Sequence, residues 1–241
     1  MIVVRSILTY LTVALYVLLV GPPLLLVAIL TKSPVLLYRA GHIGVRLGLA
    51  LSGMRTHVEG MEHLQRHRAA VYAVNHASNV EPPILFDMLN PLFPKLRILY
   101  KAELRKLPVL VRAFDLAGFV PLERGNREQS LPAIDRAAQA LVEGNSFLIF
   151  PEGTRSKSGE LLPFKKGGFI MAIKGQAPVV PVAIVGARDA MRKGSPWIRP
   201  VDVRVRLGPP IETAGLTLDD REALVNRVRG EVARLLQGQS S

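Results

Sequence analysis

Residues 146–156 read Ser-Phe-Leu-Ile-Phe-Pro-Glu-Gly-Thr-Arg-Ser, a short apolar run followed at once by a polar turn. Such a run, bounded by turn residues, is typical of a buried strand. Similar runs predict further strands at residues 69–75, 96–100, 118–122, 179–185 and 201–207. Helical patterns lie between them, at residues 82–89, 102–113, 127–142 and 167–174. This alternation predicts an α/β fold with a mainly parallel sheet flanked by helices.

The end of the chain adds one strand and one helix to this body. Residues 201–207 alternate apolar and charged side chains, as a strand with one solvated face does, so we expect that strand at an edge of the sheet. Residues 217–236 show a charged amphipathic pattern that predicts a closing helix. No repeat or clear linker divides residues 59–241, which we interpret as one domain.

The first 58 residues differ chemically from the rest of the chain. They contain no Asp or Glu, and the stretch from Ser6 to Leu30 carries no charged residue at all. A straight helix of that length would cross the roughly 30 Å hydrocarbon core of a bilayer. Because Gly21-Pro22-Pro23 interrupts the run, we expect either one kinked span or two short helices in one leaflet. A signal peptide and a buried core helix are the alternatives.

Residues 33–53 continue this segment with the pattern of an interfacial amphipathic helix. We therefore predict that residues 1–58 are N-terminal membrane-anchoring helices and that residues 59–241 form the domain they hold at the membrane. The basic residues that follow the apolar run predict that this domain lies on the cytoplasmic face.

The amino-acid composition restricts the binding partners and the kinds of functional site that the chain can have. The chain has 31 Lys and Arg against 19 Asp and Glu, and its net charge of +12 favours anionic partners. It has no Cys, which excludes disulfides, thiolate metal sites and a cysteine nucleophile. We predict no metal site and no nucleic-acid partner, because neither a metal-binding histidine pair nor a basic recognition helix accompanies the charge.

Residues 75–83 read Asn-His-Ala-Ser-Asn-Val-Glu-Pro-Pro, between a predicted strand and a helix that either proline can start. On a continuous helix His76 and Glu81 would be turned apart by about 500°, so the pair needs the turn that this position supplies. A carboxylate that holds one imidazole nitrogen leaves the other nitrogen to take a proton. His76 is therefore a candidate general base with Glu81 as its orienter; a loop histidine beside a helix start is the plain alternative.

The turn that follows the strand at residues 146–150 brings arginine, lysine and glycine together. Arg155 offers a planar fork for phosphate oxygens, Lys165 adds a point charge, and Gly153 lets the main chain approach an anion closely. This combination predicts a phosphate cradle. A solvated basic turn is the alternative.

In these motifs the chain resembles the membrane-associated glycerolipid acyltransferases, and most closely the 1-acylglycerol-3-phosphate acyltransferases. Four blocks match in order, at residues 75–81, 118–124, 150–156 and 179–184. The block that includes Pro-Glu-Gly-Thr-Arg is the specific one. One departure is that the family usually has Asp where this chain has Glu81, which is one methylene longer.

The resemblance implies an activity and roles for particular residues. His76, oriented by Glu81, would remove the proton from the free hydroxyl of a lysophospholipid, which attacks the thioester of acyl-CoA or acyl-carrier protein and yields phosphatidic acid. The acceptor phosphate would be bound by Arg124, Glu152, Gly153, Thr154, Arg155 and Lys165. No acyl-enzyme, metal or cofactor would be needed.

Two other interpretations stay open. In the first, the acceptor is another lysolipid, such as a lyso-ornithine lipid, or glycerol 3-phosphate, and the unusual Glu81 keeps this open. In the second, the protein binds lipid without catalysis, although the intact His76, Glu81 and Arg155 count against it.

Overall fold

The computed structural model describes residues 1–106, 108–123 and 127–238. In this part of the chain the strands are β1 Arg55–Glu59, β2 Val71–Val74, β3 Leu96–Lys101, β4 Val120–Leu122, β5 Ser146–Ile149, β6 Val179–Val185 and β7 Asp202–Leu207. The helices are α1 Ile2–Thr31, α2 Val35–Ser52, α3 Glu81–Met88, α4 Pro108–Leu116, α5 Arg127–Val142, α6 Gly167–Lys174, α7 Ala187–Ala190 and α8 Arg221–Leu236. Where a single helix was predicted at residues 102–113, a short 3₁₀ turn at Ala102–Lys106 precedes α4.

The seven strands form one sheet in the order β1-β7-β6-β2-β5-β3-β4. The pairs β6–β2, β2–β5, β5–β3 and β3–β4 are parallel. Strand β7 runs antiparallel to β6 and parallel to β1. The predicted α/β class with a mainly parallel sheet is confirmed.

The position predicted for β7 at an edge of the sheet was wrong, because β1 covers it. All five residues of β1 are exposed, and their sequence, Arg-Thr-His-Val-Glu, contains no apolar run that would reveal a strand. Helix α2 ends at Ser52, and the boundary predicted between residues 58 and 59 falls inside β1. The first strand of the sheet therefore comes from the segment that the sequence assigned to the membrane.

The sheet separates two apolar cores. In β2, Tyr72 and Val74 face one core, where they pack with α3 residues such as Leu85. Alternate residues of the central strands, such as Phe147, face the other core, which α5, α6 and α8 cover. All four residues of β2 and of β5 are buried, as expected for parallel strands covered on both faces.

The two N-terminal helices pack against each other as an antiparallel hairpin. Helix α1 continues through Pro22 and Pro23, so the interruption in the sequence does not divide it into two helices. At the centre of the hairpin Gly44 allows the close approach, since a Cβ there would lie 2.7 Å from the Tyr16 ring. The Tyr16 hydroxyl donates to the Ala40 carbonyl at 2.8 Å.

Helix α1 is the one helix of the described chain that is long and apolar enough to cross a membrane, and most of its surface is exposed. Near its start, Ser6 accepts a hydrogen bond from the Ile198 N–H at 2.8 Å, and the Tyr10 hydroxyl donates to the Pro196 carbonyl at 2.5 Å. Near its end, Ala28 is fully buried, and Ile29 lines a hollow together with Leu116 of α4. Both ends of the apolar helix therefore contact the α/β body.

Candidate active site

The two motifs predicted from the sequence come together because they follow neighbouring parallel strands. Strand β2 leads into residues 75–81, and β5 leads into residues 150–156. Ala73 near the end of β2 pairs with Ile149 at the end of β5. Since the carboxyl ends of parallel strands meet at one edge of the sheet, this is where α/β proteins gather their reactive groups.

The His76 ring is held by Glu81 in the manner predicted for a general base. Nδ1 of His76 lies 2.6 Å from Oε2 of Glu81. The other carboxylate oxygen, Oε1, accepts the main-chain N–H groups of Ala77 and Ser78 at 2.8 and 2.9 Å. Because both oxygens are engaged, the carboxylate fixes the turn and the ring together, and Nε2 is the ring nitrogen that remains to take a proton.

Burial separates the two members of this pair. The Glu81 side chain is 0% exposed, whereas that of His76 is 18% exposed, so the imidazole is the member that a substrate can reach. Burial raises the pKa of Glu81, and the hydrogen bonds from His76, Ala77 and Ser78 oppose this shift. Glu81 is closed off from solvent, and its contacts are with the His76 ring and the main chain of the turn.

Neighbouring residues fix the position of the His76–Glu81 pair on the sheet. The Asn75 amide exchanges two hydrogen bonds with the Ile184 main chain, at 2.7 and 3.1 Å, and ties the end of β2 to β6. The Phe150 ring stacks on the His76 ring with 4.2 Å between centroids. Ser78 is buried and donates to the Met191 carbonyl, which gives its hydroxyl a structural role.

The predicted phosphate cradle is a turn directly after β5. Gly153 adopts a left-handed φ of 68°, which favours glycine. A Cβ there would also lie 2.8 Å from Cε of Lys165, so the lysine side chain packs over the turn. Thr154 is exposed and its hydroxyl accepts a hydrogen bond from Lys193 at 3.3 Å. The structure therefore brings Gly153, Thr154 and Lys165 together.

The guanidinium of Arg155 is available to an anion. Arg155 is partly exposed, and within residues 1–106, 108–123 and 127–238 its side chain has neither a hydrogen bond nor an ion pair. The Lys193 ammonium donates to the Arg155 carbonyl at 2.9 Å and adds a second cation to the turn. Arg124, the remaining predicted phosphate ligand, lies outside the described residues.

Glu152 occupies a different environment from the rest of the cradle. It is 3% exposed, and its two oxygens accept main-chain N–H groups, from His76 at 2.5 Å and from Leu162 at 2.9 Å. Burial raises the pKa of Glu152. With both oxygens occupied, this carboxylate is not presented to an acceptor phosphate in the way predicted for it.

A cleft of about 490 Å³ opens beside the Phe150 ring that covers His76. Its apolar wall includes Leu122, Leu131 and Ile134, and Lys165 stands at its polar side. Pro151 and Gly153 also line it, so the cleft borders the cradle turn. This shape and lining suit a ligand with an apolar part and an anionic part.

Known proteins resemble this chain over most of its length. A family model described as Acyltransferase matches residues 55–185. A 1-acyl-sn-glycerol-3-phosphate acyltransferase of Limnanthes douglasii is 33% identical over 197 residues, which are 81% of this chain and 68% of the plant protein. The human 1-acyl-sn-glycerol-3-phosphate acyltransferase alpha is 33% identical over 180 residues, 74% of this chain and 62% of the human protein.

The fold has a solved counterpart. The crystal structure of the 1-acyl-sn-glycerophosphate (LPA) acyltransferase PlsC from Thermotoga maritima matches with a TM-score of 0.82 and 26% sequence identity. The match covers 98% of this chain and 95% of that structure, so it includes the N-terminal helices.

The fold, the motifs at the strand ends and the family match define an acyltransferase enzyme. The chain belongs to the acyltransferase family, and the relatives that it matches are 1-acyl-sn-glycerol-3-phosphate acyltransferases. The resemblance stated from the sequence is confirmed.

Three features of the site were not predicted from the sequence. Each of them joins residues that are far apart in the chain or on different loops. They are the stacking of Phe150 on His76, the hydrogen bonds between Asn75 and Ile184, and the contact of Lys193 with the cradle. The one available signal was that Asn75 and Phe150 are the first residues of two of the matched blocks. Lys193 carried none, because one lysine in a basic loop is ordinary.

Proposed function

We propose that this enzyme transfers a fatty acyl group from acyl-CoA or acyl-carrier protein to the free hydroxyl of 1-acylglycerol-3-phosphate, giving phosphatidic acid. The observation that carries the proposal is the His76–Glu81 pair, joined at 2.6 Å, on the strand end next to the turn that holds Arg155. The His76–Glu81 pair is suited to activate an alcohol, and the Arg155 guanidinium is suited to bind a phosphate.

The proposed reaction needs one general base. Nε2 of His76 takes the proton of the acceptor hydroxyl while its oxygen forms a bond to the thioester carbonyl carbon. The tetrahedral intermediate then expels the thiolate, which receives the proton from His76. Glu81 accepts the hydrogen bond from the Nδ1–H group throughout and stabilises the imidazolium that forms.

The acceptor phosphate is the anion that we assign to the cradle. Arg155 supplies a bidentate donor, Lys165 a nearby charge, and Gly153 and Thr154 the turn that brings them close. Arg124, which follows the 118–123 segment, is proposed as a further ligand on the resemblance alone. The adjoining cleft suits an apolar part of a substrate.

We propose that the protein acts at a membrane, with α1 lying along the surface of the bilayer. A helix of 30 residues is about 45 Å long, and both of its ends contact the body. A helix that crossed the bilayer would carry one end away from that body. We therefore place this segment in one leaflet, as a single continuous helix and not as the two short helices predicted. Lysolipid and product then reach the site from the side, with the body on the cytoplasmic face.

The test is a transfer assay on purified protein in phospholipid vesicles. Labelled acyl-CoA and labelled acyl-carrier protein are each offered with 1-acylglycerol-3-phosphate, a lyso-ornithine lipid and glycerol 3-phosphate. We expect labelled phosphatidic acid from the first acceptor, and the better donor identifies the carrier. Faster product formation from another acceptor contradicts the proposed substrate, and no transfer to any acceptor supports a non-catalytic lipid-binding protein.

A further inference from the structure

The main chain of His76 is fastened on both sides by the loop that follows β5. Its N–H donates to Oε1 of Glu152 at 2.5 Å, and its carbonyl accepts the Ser156 N–H at 2.7 Å. These contacts join residues about eighty positions apart and adjoin the Cα that carries the imidazole. The direction of the His76 side chain is therefore set by the loop as well as by Glu81.

Glu152 is built into this loop. Its second oxygen accepts the Leu162 N–H at 2.9 Å. One buried carboxylate therefore links the main chain at His76 to Leu162, which lies ten positions after Glu152 in the loop. A phosphate ligand is expected to be a cation or a donor that faces solvent, whereas Glu152 is an anion with both oxygens in use.

The far side of the loop is held by the last helix. Arg229 of α8 donates to the Leu161 carbonyl at 3.0 Å and to the Leu162 carbonyl at 3.4 Å. The N–H of that same Leu162 donates to Glu152. A continuous path of hydrogen bonds thus runs from Arg229 through Leu162 and Glu152 to His76. Arg229 lies outside residues 55–185, the part of the chain that matches the family model.

We propose that Glu152 is a positioning residue for His76, and that Arg229 supports it by holding the loop at Leu161 and Leu162. This rests on the proposed role of His76 as the general base. In proton transfer from a bound hydroxyl, a displacement of about 1 Å costs on the order of 100-fold in rate. Glu152 acts through the main chain of His76 and touches no substrate.

The substitution Glu152→Gln tests this role while it keeps the size of the side chain. A carboxylate accepts two N–H groups, but an amide offers one oxygen and one NH₂, so one of the two donors must face another donor. The contact with His76 or the contact with Leu162 is then lost. Arg229→Met removes the donors to the loop and retains much of the apolar stem. Arg227→Met, an exposed position on the same helix, is the matched control.

Steady-state kinetics with 1-acylglycerol-3-phosphate separate positioning from binding. We expect Glu152→Gln to lower kcat about 100-fold and to change the acceptor KM less than about twofold. We expect Arg229→Met to lower kcat several-fold, again with little change in KM, and Arg227→Met to resemble the wild type. An acceptor KM that rises in Glu152→Gln with kcat unchanged would establish a binding role and overturn the proposal, as would wild-type kinetics in both variants.

Amide hydrogen exchange measured on the same proteins does not depend on the substrate. We expect the His76 N–H to exchange faster in Glu152→Gln and in Arg229→Met than in the wild type or in Arg227→Met. Unchanged exchange overturns the inference even if activity falls. A wild-type protein that makes no phosphatidic acid, yet shows the exchange difference, overturns the proposed function and leaves the main-chain linkage intact. If Glu152→Gln does not fold, both measurements on Arg229→Met decide the matter.

Discussion

Glu81 is the first residue of α3, and its two carboxylate oxygens are divided between the ring of His76 and the main chain of the turn that connects them. The glutamate side chain reaches the His76 ring at an Nδ1–Oε2 distance of 2.6 Å and, with Oε1, the two N–H groups of the turn. The extra methylene, relative to the usual aspartate of the family, is therefore accommodated by the local geometry.

Shortening this residue is expected to impair the enzyme although aspartate is usual in the family. In Glu81→Asp the carboxylate is withdrawn by about 1.5 Å, so it loses either His76 or the two N–H groups of the turn. We expect kcat to fall at least about 10-fold in a vesicle assay. Glu81→Gln is the comparison, since it keeps the length and removes the charge. Wild-type activity in Glu81→Asp would mean that the turn adjusts freely and that this argument is wrong.

The raised pKa of Glu81 gives stability a defined pH dependence. Burial disfavours the charged carboxylate, so the folded protein binds this proton more tightly than the unfolded chain, whose pKa is near the ordinary 4.5. The contribution of Glu81 to the free energy of unfolding is complete below that value and is lost as the pH rises through the raised pKa. We expect the thermal midpoint of the wild type, relative to Glu81→Gln, to decrease with pH over this window. A difference that increases with pH would contradict the sign.

Removal of the Arg155 guanidinium should weaken acceptor binding more than chemistry. We expect Arg155→Ala to raise the KM for 1-acylglycerol-3-phosphate about 10-fold or more, because a charge-assisted hydrogen bond contributes about 1.5–3 kcal/mol. The effect on kcat should be smaller. Lys157→Ala, which removes an exposed cation two positions away, is the control. An unchanged KM with a large loss of kcat would contradict the anchoring role.

The exposed apolar surface of α1 should determine association with the membrane. Leu11 and Leu18 are 64% and 70% exposed on this helix. We expect the double substitution Leu11→Lys and Leu18→Lys to release much of the protein from vesicles in a flotation assay, because charged residues resist transfer into hydrocarbon. Val142→Lys alters a comparably exposed apolar position on α5 and should leave flotation unchanged. Equal flotation of all the variants would show that α1 is not the anchor.

The strands that build the site were predictable because they are apolar on both faces and end in motifs. The runs at residues 69–75 and 146–150 needed only their composition, and parallel pairing then placed the segment that carries His76 next to the turn that carries Arg155. Strand β1 was not predictable, because its exposed residues show no apolar pattern and only its pairing with β7 makes it a strand. Pro22 and Pro23 predicted an interruption in α1, yet the helix continues through them.

Some contacts of the candidate site were likewise predictable from the sequence and others were not. The contact of His76 with Glu81 was predictable because it is local, and it depends on a turn between a strand and a proline-initiated helix. The place of Glu152 was not, because its partners are main-chain N–H groups, which every residue except proline has and which no side-chain pattern reveals. The same holds for Arg229, whose acceptors are carbonyls.

The most direct test of the central claim is acyl transfer by His76→Asn in phospholipid vesicles. Labelled acyl-CoA or acyl-carrier protein and 1-acylglycerol-3-phosphate are supplied to the wild type and to this variant at equal folded concentration, checked by thermal unfolding. We predict that the wild type forms phosphatidic acid and that the variant is slower by about 100-fold or more, since it lacks the general base. Phosphatidic acid formed by His76→Asn at a rate near that of the wild type would contradict the account.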